Sequence, residues 1–511
     1  MSTVLHRLSS WADSTPDMAA QRFKQGGAWQ TITAQEYRDR VFYLALFLEA
    51  RGFTGKDVSA ILSYNCPQWV HMDLAPLLLG GKSAGLYPNS SQKDIEYIFG
   101  HTQAKILSVQ NATYFKKVGG ALPASVELVV VFDGDTSVSP KAVAYQAALD
   151  EGKALAKGKK ISDYLARIDK NAGAFLIYTS GTTGSPKGAL LSHDNLAFTA
   201  DVVANTWSLK SGGGRSTFSF LPLCHVAEKI QNVGVGISSR YVVYHASSFD
   251  NVGTEIVEVQ PSMLLSVPRL WEKMMEGVEK KIAGGKGVKK HLATWAFRVG
   301  ARVAEKKYSG LRAGLRDLAQ LKLADKLVLS KVRQALGLAK IERAASGAAA
   351  LSSMVAKWFR ALGIEVLEDF GQTESTGVIC MTDPGVDCAG TVGRAAKGVE
   401  VKLADDGELL TRGRHVFVGY YKNDQATAET IINGWLHTGD LGEVNDRGLI
   451  RIRGRKKEIM KTSGGKMTAP VPIEERLKEL PVISQACMVG DGRKYFSVTK
   501  TALLWPAHFP R

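Results

Sequence analysis

The sequence predicts an α/β protein with mostly parallel sheets, and two features carry that expectation. Helical patterns alternate with short runs rich in Val, Ile and Leu, such as Glu127-Leu128-Val129-Val130-Val131-Phe132; strands spaced by helices assemble into parallel sheets. Length is the second feature. The chain has 511 residues, too many for one ordinary core, and a prior of about 150 residues per domain suggests about three units. Apolar residues make up 45% and charged residues 22%, a balance that fills sizeable cores and excludes a disordered or fibrous chain.

Cys66, Cys224, Cys380, Cys388 and Cys487 are scattered and contain no Cys-x-x-Cys pair, so neither a disulfide framework nor a zinc site is expected. The opening Met1-Ser2-Thr3-Val4-Leu5-His6-Arg7 lacks the apolar core of a signal peptide. No apolar run approaches the roughly 18 residues of a membrane span, and a cytoplasmic protein is expected.

Lys and Arg number 65 against 49 Asp and Glu, a net charge of +16. The excess gathers in residues 273–343, where Lys280, Lys281, Lys289, Lys290, Lys306 and Lys307 alternate with Leu292, Trp295, Ala296 and Val299 at helical spacing. This reads as a basic helical insertion. The favoured reading is a solvated face that attracts acidic substrates and nucleotides; the alternative is peripheral contact with anionic lipid at the inner face of a membrane. No recognition motif supports nucleic acid as a partner.

The most informative segment is Tyr178-Thr179-Ser180-Gly181-Thr182-Thr183-Gly184-Ser185-Pro186-Lys187-Gly188. It follows the apolar run Ala174-Phe175-Leu176-Ile177, which reads as a buried strand. Gly181, Gly184 and Gly188 let the backbone turn its N–H groups toward a polyanion. Thr179, Ser180, Thr182 and Thr183 add hydroxyl donors, and Lys187 adds a compact positive charge. The segment is a phosphate cradle, yet not a Walker loop, because Pro186 precedes Lys187 and Gly188 follows it.

Three further blocks follow in order. Asp369-Phe370-Gly371-Gln372-Thr373-Glu374 offers an aromatic face, a hydroxyl and a carboxylate suited to a hard cation. Gly434-Trp435-Leu436-His437-Thr438-Gly439-Asp440 ends in an acceptor carboxylate, although an Asp at a turn more often caps backbone N–H groups. Gly454-Arg455-Lys456-Lys457-Glu458-Ile459-Met460-Lys461 leads into Ser463-Gly464-Gly465-Lys466. Two weaker elements are Leu221-Pro222-Leu223-Cys224-His225-Val226-Ala227-Glu228 and Ser346-Gly347-Ala348-Ala349-Ala350-Leu351. A lone His such as His225 is as often structural as functional.

Taken together, these blocks resemble the adenylate-forming enzymes and, within them, the long-chain fatty acyl-CoA synthetases. Pro-Leu-Cys-His-Val-Ala-Glu, Gly-Gln-Thr-Glu and Ala469-Pro470-Val471-Pro472-Ile473-Glu474 favour that subgroup. The resemblance implies a large AMP-binding domain over residues 1–454 and a hinge with a small α+β C-terminal domain over 455–511. It implies that a carboxylic acid, ATP and coenzyme A are substrates, with Mg2+ as cofactor. Lys187, Thr373, Glu374 and the hinge residue Lys457 are the implied catalytic positions, and Thr179 and Glu374 the implied metal ligands. Nucleotide contacts fall to Thr179 through Gly184, Gly347, Ala348, Glu368, Asp369, Phe370, Thr373, Asp440, Arg455 and Lys461. His225 borders the acyl tunnel, and Gly464 and Gly465 the coenzyme A path.

The chain departs from the family at three places. Phe370 stands where tyrosine is more usual, and Ala350 where proline is frequent. The lysine-bearing segment Pro-Lys-Thr-x-x-Gly-Lys near the family's C-terminus has no counterpart here. The resemblance dissolves after Val498 into Thr499-Lys500-Thr501-Ala502-Leu503-Leu504-Trp505, as though a strand were interrupted. The expectation is a truncated or frameshifted end near residue 499, with adenylation slowed by the lost lysine. Activation of an aromatic or medium-chain acid, and a catalytically impaired lipid- or nucleotide-binding homologue, are the alternatives.

Overall fold

The computed structural model describes residues 2–119, 122–179, 185–478, 480 and 483–502. They form two compact units. The first comprises Met1–Pro261, Gln372–Gly377 and Gly413–Ile431. Its larger sheet runs in the order Gly419–Tyr420, Lys187–Ser192, Gly173–Thr179, Lys82–Gly85, Val58–Leu62, Ile106–Val109, Leu128–Val131 and Ala142–Ala144. The strands from Gly173–Thr179 to Ala142–Ala144 are parallel, and the pairings at the other edge are antiparallel. Val58–Leu62 and Leu128–Val131 are buried at every position, as apolar runs covered on both faces should be. A second group of strands, Ser216–Ser219, Val242–His245 and Ala19–Gln25, is also parallel.

Helix starts in this unit are written locally. Ser192 accepts from the Asn195 N–H while the Asn195 side chain accepts from the Ser192 N–H. This capping box turns the strand Lys187–Ser192 directly into the helix His193–Thr206. Deeper in, Lys229 Nζ lies 2.5 Å from Asp73 Oδ2 and faces the rings of Trp69 and Phe175 at 4.8 and 4.6 Å. Ser83 donates to the other Asp73 oxygen at 2.7 Å. Both charged side chains are shut away, at 3% and 1% exposure, so each depends on the other for neutralisation.

The second unit comprises Ser262–Gly371, Val378–Arg412 and Ile432–Arg511. Met263–Ser266, Arg343–Ser346 and Val366–Phe370 are parallel, and Cys380–Met381 and Arg394–Ala395 continue antiparallel. The basic insertion is helical, as expected: Pro268–Gly284, Gly287–Tyr308, Leu315–Ala324 and Ser330–Ala335, with a π-helical stretch at Asp325–Leu329. Its apolar stripe is partly core. Ala296, Phe297, Val299 and Gly300 are buried, and Phe297 stacks on Trp358 of the helix Ser353–Ala361 with centroids 5.1 Å apart. Gly300 permits this approach, since a Cβ there would sit 2.0 Å from the Ala361 carbonyl oxygen. Ala296 and Val299 of the stripe are therefore spent on packing, while Leu292 and Trp295 are half-buried. No described helix is long and apolar enough to cross a membrane.

An antiparallel sheet follows: Glu400–Leu403, Glu408–Arg412, Trp435–Val444 and Ile450–Arg455. Beyond it lie the helix Pro470–Lys478 and a hairpin of Ile483–Val489 with Ser497–Ala502. The hairpin strand runs through position 499 in regular register, with Thr499 opposite Cys487 and Lys500 opposite Ala486. The break expected there does not interrupt the ladder, because alternation of Val498 with polar neighbours suffices for an edge strand.

Asp73→Ala leaves Lys229 buried without a counter-charge, and a loss of about 3–5 kcal/mol is expected. Replacing both residues by apolar ones of similar volume is expected to cost far less; urea denaturation of the two variants checks the contrast.

Candidate active site

In the first unit, the phosphate-loop segment is flanked by two paired strands. Gly173–Thr179 pairs antiparallel with Lys187–Ser192, which sets Thr179 directly opposite Lys187. Ser180, Gly181, Thr182, Thr183 and Gly184 lie outside the described residues. Tyr420, on the adjoining strand Gly419–Tyr420, sits beneath Lys187, whose Nζ is 4.9 Å from the ring centroid. The phenol of Tyr420 donates to Glu374 Oε1 at 2.6 Å. Burial, reinforced by the neighbouring Glu374 carboxylate, raises the Tyr420 phenol above its ordinary range, so it stays protonated and serves as a donor.

Thr373 and Glu374 occupy a short 3₁₀ turn, Thr373–Ser375, and both are buried. The Glu374 carbonyl accepts from the Phe417 N–H at 2.9 Å. Backbone and side chain of Glu374 are thus both anchored by the segment 413–431. Lys187, Thr179 and Glu374, named from sequence, meet in one unit; Tyr420, which links two of them, was not read. Its only sequence signal is the aromatic pair Tyr420-Tyr421 after Gly419. His225 is half-buried, and its Nδ1 accepts from the Ala227 N–H at 3.2 Å. That nitrogen is committed to starting the helical turn Val226–Glu228.

The second unit holds the remaining positions. Gly347 and Ala348 follow the strand Arg343–Ser346. A Cβ on Gly347 would come within 2.6 Å of Asp369 Oδ1, so any other residue would displace the Asp369 carboxylate. Ala348 has φ +69°, a left-handed conformation that residues with a Cβ seldom adopt outside functional sites. Asp369 Oδ1 is closed to solvent and has no hydrogen-bond partner among the described residues. Burial pushes its pKa up to about 7. Phe370 ends the strand Val366–Phe370, half-exposed. Glu368 braces the loop, accepting from the Leu351 N–H at 3.0 Å.

Asp440 and Arg455 face each other across paired strands, with Arg455 Nε 3.2 Å from Asp440 Oδ1. Asp440 is buried and Arg455 exposed. Glu408, also missed in sequence, organises this end. It accepts from the Gly439 N–H at 2.8 Å, and its other oxygen meets Lys456 Nζ at 3.2 Å and His437 Nδ1 at 3.3 Å. Burial alone would raise the Glu408 carboxyl, but these donors hold it below its ordinary range. The network anchors the strand just before Asp440, where Gly439 takes φ +71°, and the adjacent Lys457 is exposed. Lys461, Gly464 and Gly465 are exposed too, on a short hairpin where Gly465 takes φ +87°.

The family model described as AMP-binding enzyme matches residues 8–421. A long-chain-fatty-acid–CoA ligase, ACSBG2 of Rattus norvegicus, is 33% identical over 499 residues, covering 94% of this chain and 74% of the relative. The long-chain-fatty-acid–CoA ligase FadD15 of Mycobacterium bovis is 32% identical over 493 residues, covering 95% and 80%. In fold, the chain is similar to the Mycobacterium tuberculosis fatty acyl CoA synthetase, with TM-score 0.68, 19% identity and coverage of 95% and 85%. It is similar also to the Bacillus subtilis o-succinylbenzoate coenzyme A synthetase in complex with ATP and magnesium ion, with TM-score 0.70, 19% identity and coverage of 98% and 90%.

Two substitutions test the geometry. Tyr420→Phe keeps the ring under Lys187 but removes the bond to Glu374, and a stability loss of about 1.5–3 kcal/mol is expected in urea denaturation. Asp369 binds its proton more tightly folded, at about 7, than unfolded, at about 3.9. Its contribution is therefore lost as pH rises through that window. Asp369→Asn is expected to flatten the fall in stability between about pH 4 and about pH 7.

Proposed function

The chain belongs to the AMP-binding enzyme family, and we propose that it is an AMP-forming ligase joining a long-chain fatty acid to coenzyme A. The fatty acid carboxylate attacks the α-phosphorus of ATP, forming an acyl-adenylate and releasing pyrophosphate. The coenzyme A thiol then attacks the acyl carbon of that mixed anhydride, and AMP leaves. No side-chain nucleophile is needed, so catalysis rests on positioning and charge neutralisation.

One observation carries the reading: Lys187, Tyr420 and Glu374 form a linked set opposite Thr179, beside the phosphate-loop segment. Lys187 neutralises phosphate charge there. Ser180 through Gly184 supply N–H and hydroxyl donors, and Thr373 adds a hydroxyl. The residues fit Mg2+: Tyr420 fixes one Glu374 oxygen, leaving the other, and magnesium takes one or two carboxylates plus substrate phosphates. Glu374 and Thr179 would hold it, and bound there it would offset phosphate charge.

For the nucleoside, Phe370 offers its ring to the purine, and the unpartnered Asp369 Oδ1 accepts from an exocyclic amine beside Gly347 and Ala348. Asp440 and Arg455 suit ribose hydroxyls, with Glu368 bracing the loop and Lys461 nearby in sequence. Lys457 serves as the hinge, absorbing backbone change between the two half-reactions. Gly464 and Gly465 line the thiol path, and His225 borders the acyl chain.

Incubating the protein with palmitate, Mg-ATP and coenzyme A should yield palmitoyl-AMP and palmitoyl-CoA by mass spectrometry. Lys187→Ala is expected to lower turnover by about 10²–10³-fold. Benzoate consumed faster than palmitate, or pyrophosphate release indifferent to Lys187→Ala, would overturn the proposal.

A further inference from the structure

Residues 280–340 contain sixteen Lys and Arg against three Asp and Glu, so thirteen of the sixteen net positive charges of the chain fall there. The same segment walls a cavity of about 570 Å³, wholly within the second unit, a volume typical of small-ligand sites. Val303, Leu318, Leu321 and Leu329 supply apolar wall. Leu315, one helical turn before Leu318, is 88% exposed and Leu318 49%, so an apolar track leads from solvent into the cavity.

The floor is the amino-terminal edge of the sheet, at Ile341–Ala344 and Ile364–Leu367. The strands Arg343–Ser346 and Val366–Phe370 run from this floor to Gly347 and Phe370 at their far ends. The cavity is thus separated from the nucleotide-facing groups by the length of the strands. Its wall includes the π-helical stretch Asp325–Leu329, an irregularity frequent at functional sites.

Charge at the rim is unevenly spent. Asp325 pairs with Arg333 at 2.7 Å, and Glu365 accepts from the Gly385 N–H at 3.0 Å. Arg360 lies over the Tyr308 ring and pairs with Asp387 at 2.9 Å. Glu342 and Arg343 also line the edge. Lys307 and Lys322 are exposed, and among the described residues neither pairs with a carboxylate. Lys307 Nζ lies 5.2 Å from the Tyr308 ring centroid, a contact that leaves its charge unneutralised. A cavity with an apolar wall and ammonium groups at its mouth selects a chain with an anionic head.

We propose that this cavity binds a single-chain amphipathic anion, an alkyl chain ending in a carboxylate or sulfate, at a site separate from the adenylate-forming one. The inference stands on the cavity and its charges, and does not require the reading of the catalytic groups.

A dodecanoate carrying a diazirine at its terminal carbon, photolysed with the full-length protein, tests it. Mass spectrometry should place the label in peptides spanning residues 300–333 and 360–367. Dodecyl sulfate should compete, and dodecyltrimethylammonium should not. Competition by unlabelled carboxylates should strengthen about fourfold per added methylene. The exposed double variant Lys307→Glu with Lys322→Glu should reduce labelling at least about tenfold while leaving thermal unfolding unchanged, since both positions are solvated. Label confined to other peptides, undiminished labelling of the double variant, or labelling that requires anionic phosphatidylglycerol vesicles would each overturn the proposal. The last result would assign the basic face to a bilayer.

Discussion

The hydrogen bond from Tyr420 to Glu374 is the constraint on which the candidate phosphate site depends. It is 2.6 Å long, and its donor stands on a strand paired with the second of the strands that flank the phosphate loop. Through that strand the Glu374 carboxylate and the Lys187 ammonium are held relative to one phenol ring. Buried, Glu374 would be costly alone. Tyr420 meets part of that cost with a charge-assisted bond, and the Phe417 N–H meets another on the backbone. A buried carboxylate held by a phenol whose ring also faces an ammonium is preorganisation of the kind that charge-neutralising catalysis uses.

A comparable logic operates in the second unit with different parts. Strain at Ala348 and the glycine required at 347 shape a loop around one unpartnered carboxyl oxygen. A buried acceptor left open is expensive in the free protein and is repaid by a ligand donor. Glu408 shows the opposite case. It is satisfied by Gly439, Lys456 and His437, and it holds the strand next to Asp440 against Lys456 on the following segment. One acid keeps an oxygen without a hydrogen-bond partner among the described residues, and the other is completed and braces the backbone.

The basic insertion divides its duties by face. Its apolar stripe at Ala296, Phe297 and Val299 is consumed by packing on the helix Ser353–Ala361. Its charge is left outward, and its lower helices wall a cavity. A helix stripe read from sequence reports that some surface will be covered, without saying by what.

The sequence by itself determined the α/β class, the strand under the phosphate loop, the order of the motif blocks and the helical insertion. These are local properties: apolar runs of strand length, glycine and hydroxyl spacing, and helical periodicity survive in one dimension. The run Leu128–Val131 became a buried parallel strand because nothing but burial suits it. Tertiary structure alone decided that the strands flanking the phosphate loop pair with each other, that Tyr420 and Glu408 support the named acids and bases, and that Asp369 Oδ1 is left without a hydrogen-bond partner among the described residues. Those facts join residues 46 positions apart at Tyr420–Glu374 and 31 at Gly439–Glu408. No local pattern encodes which distant donor will reach a buried carboxylate; chain folding sets that distance, and the cost of an unpaired charge makes the choice matter.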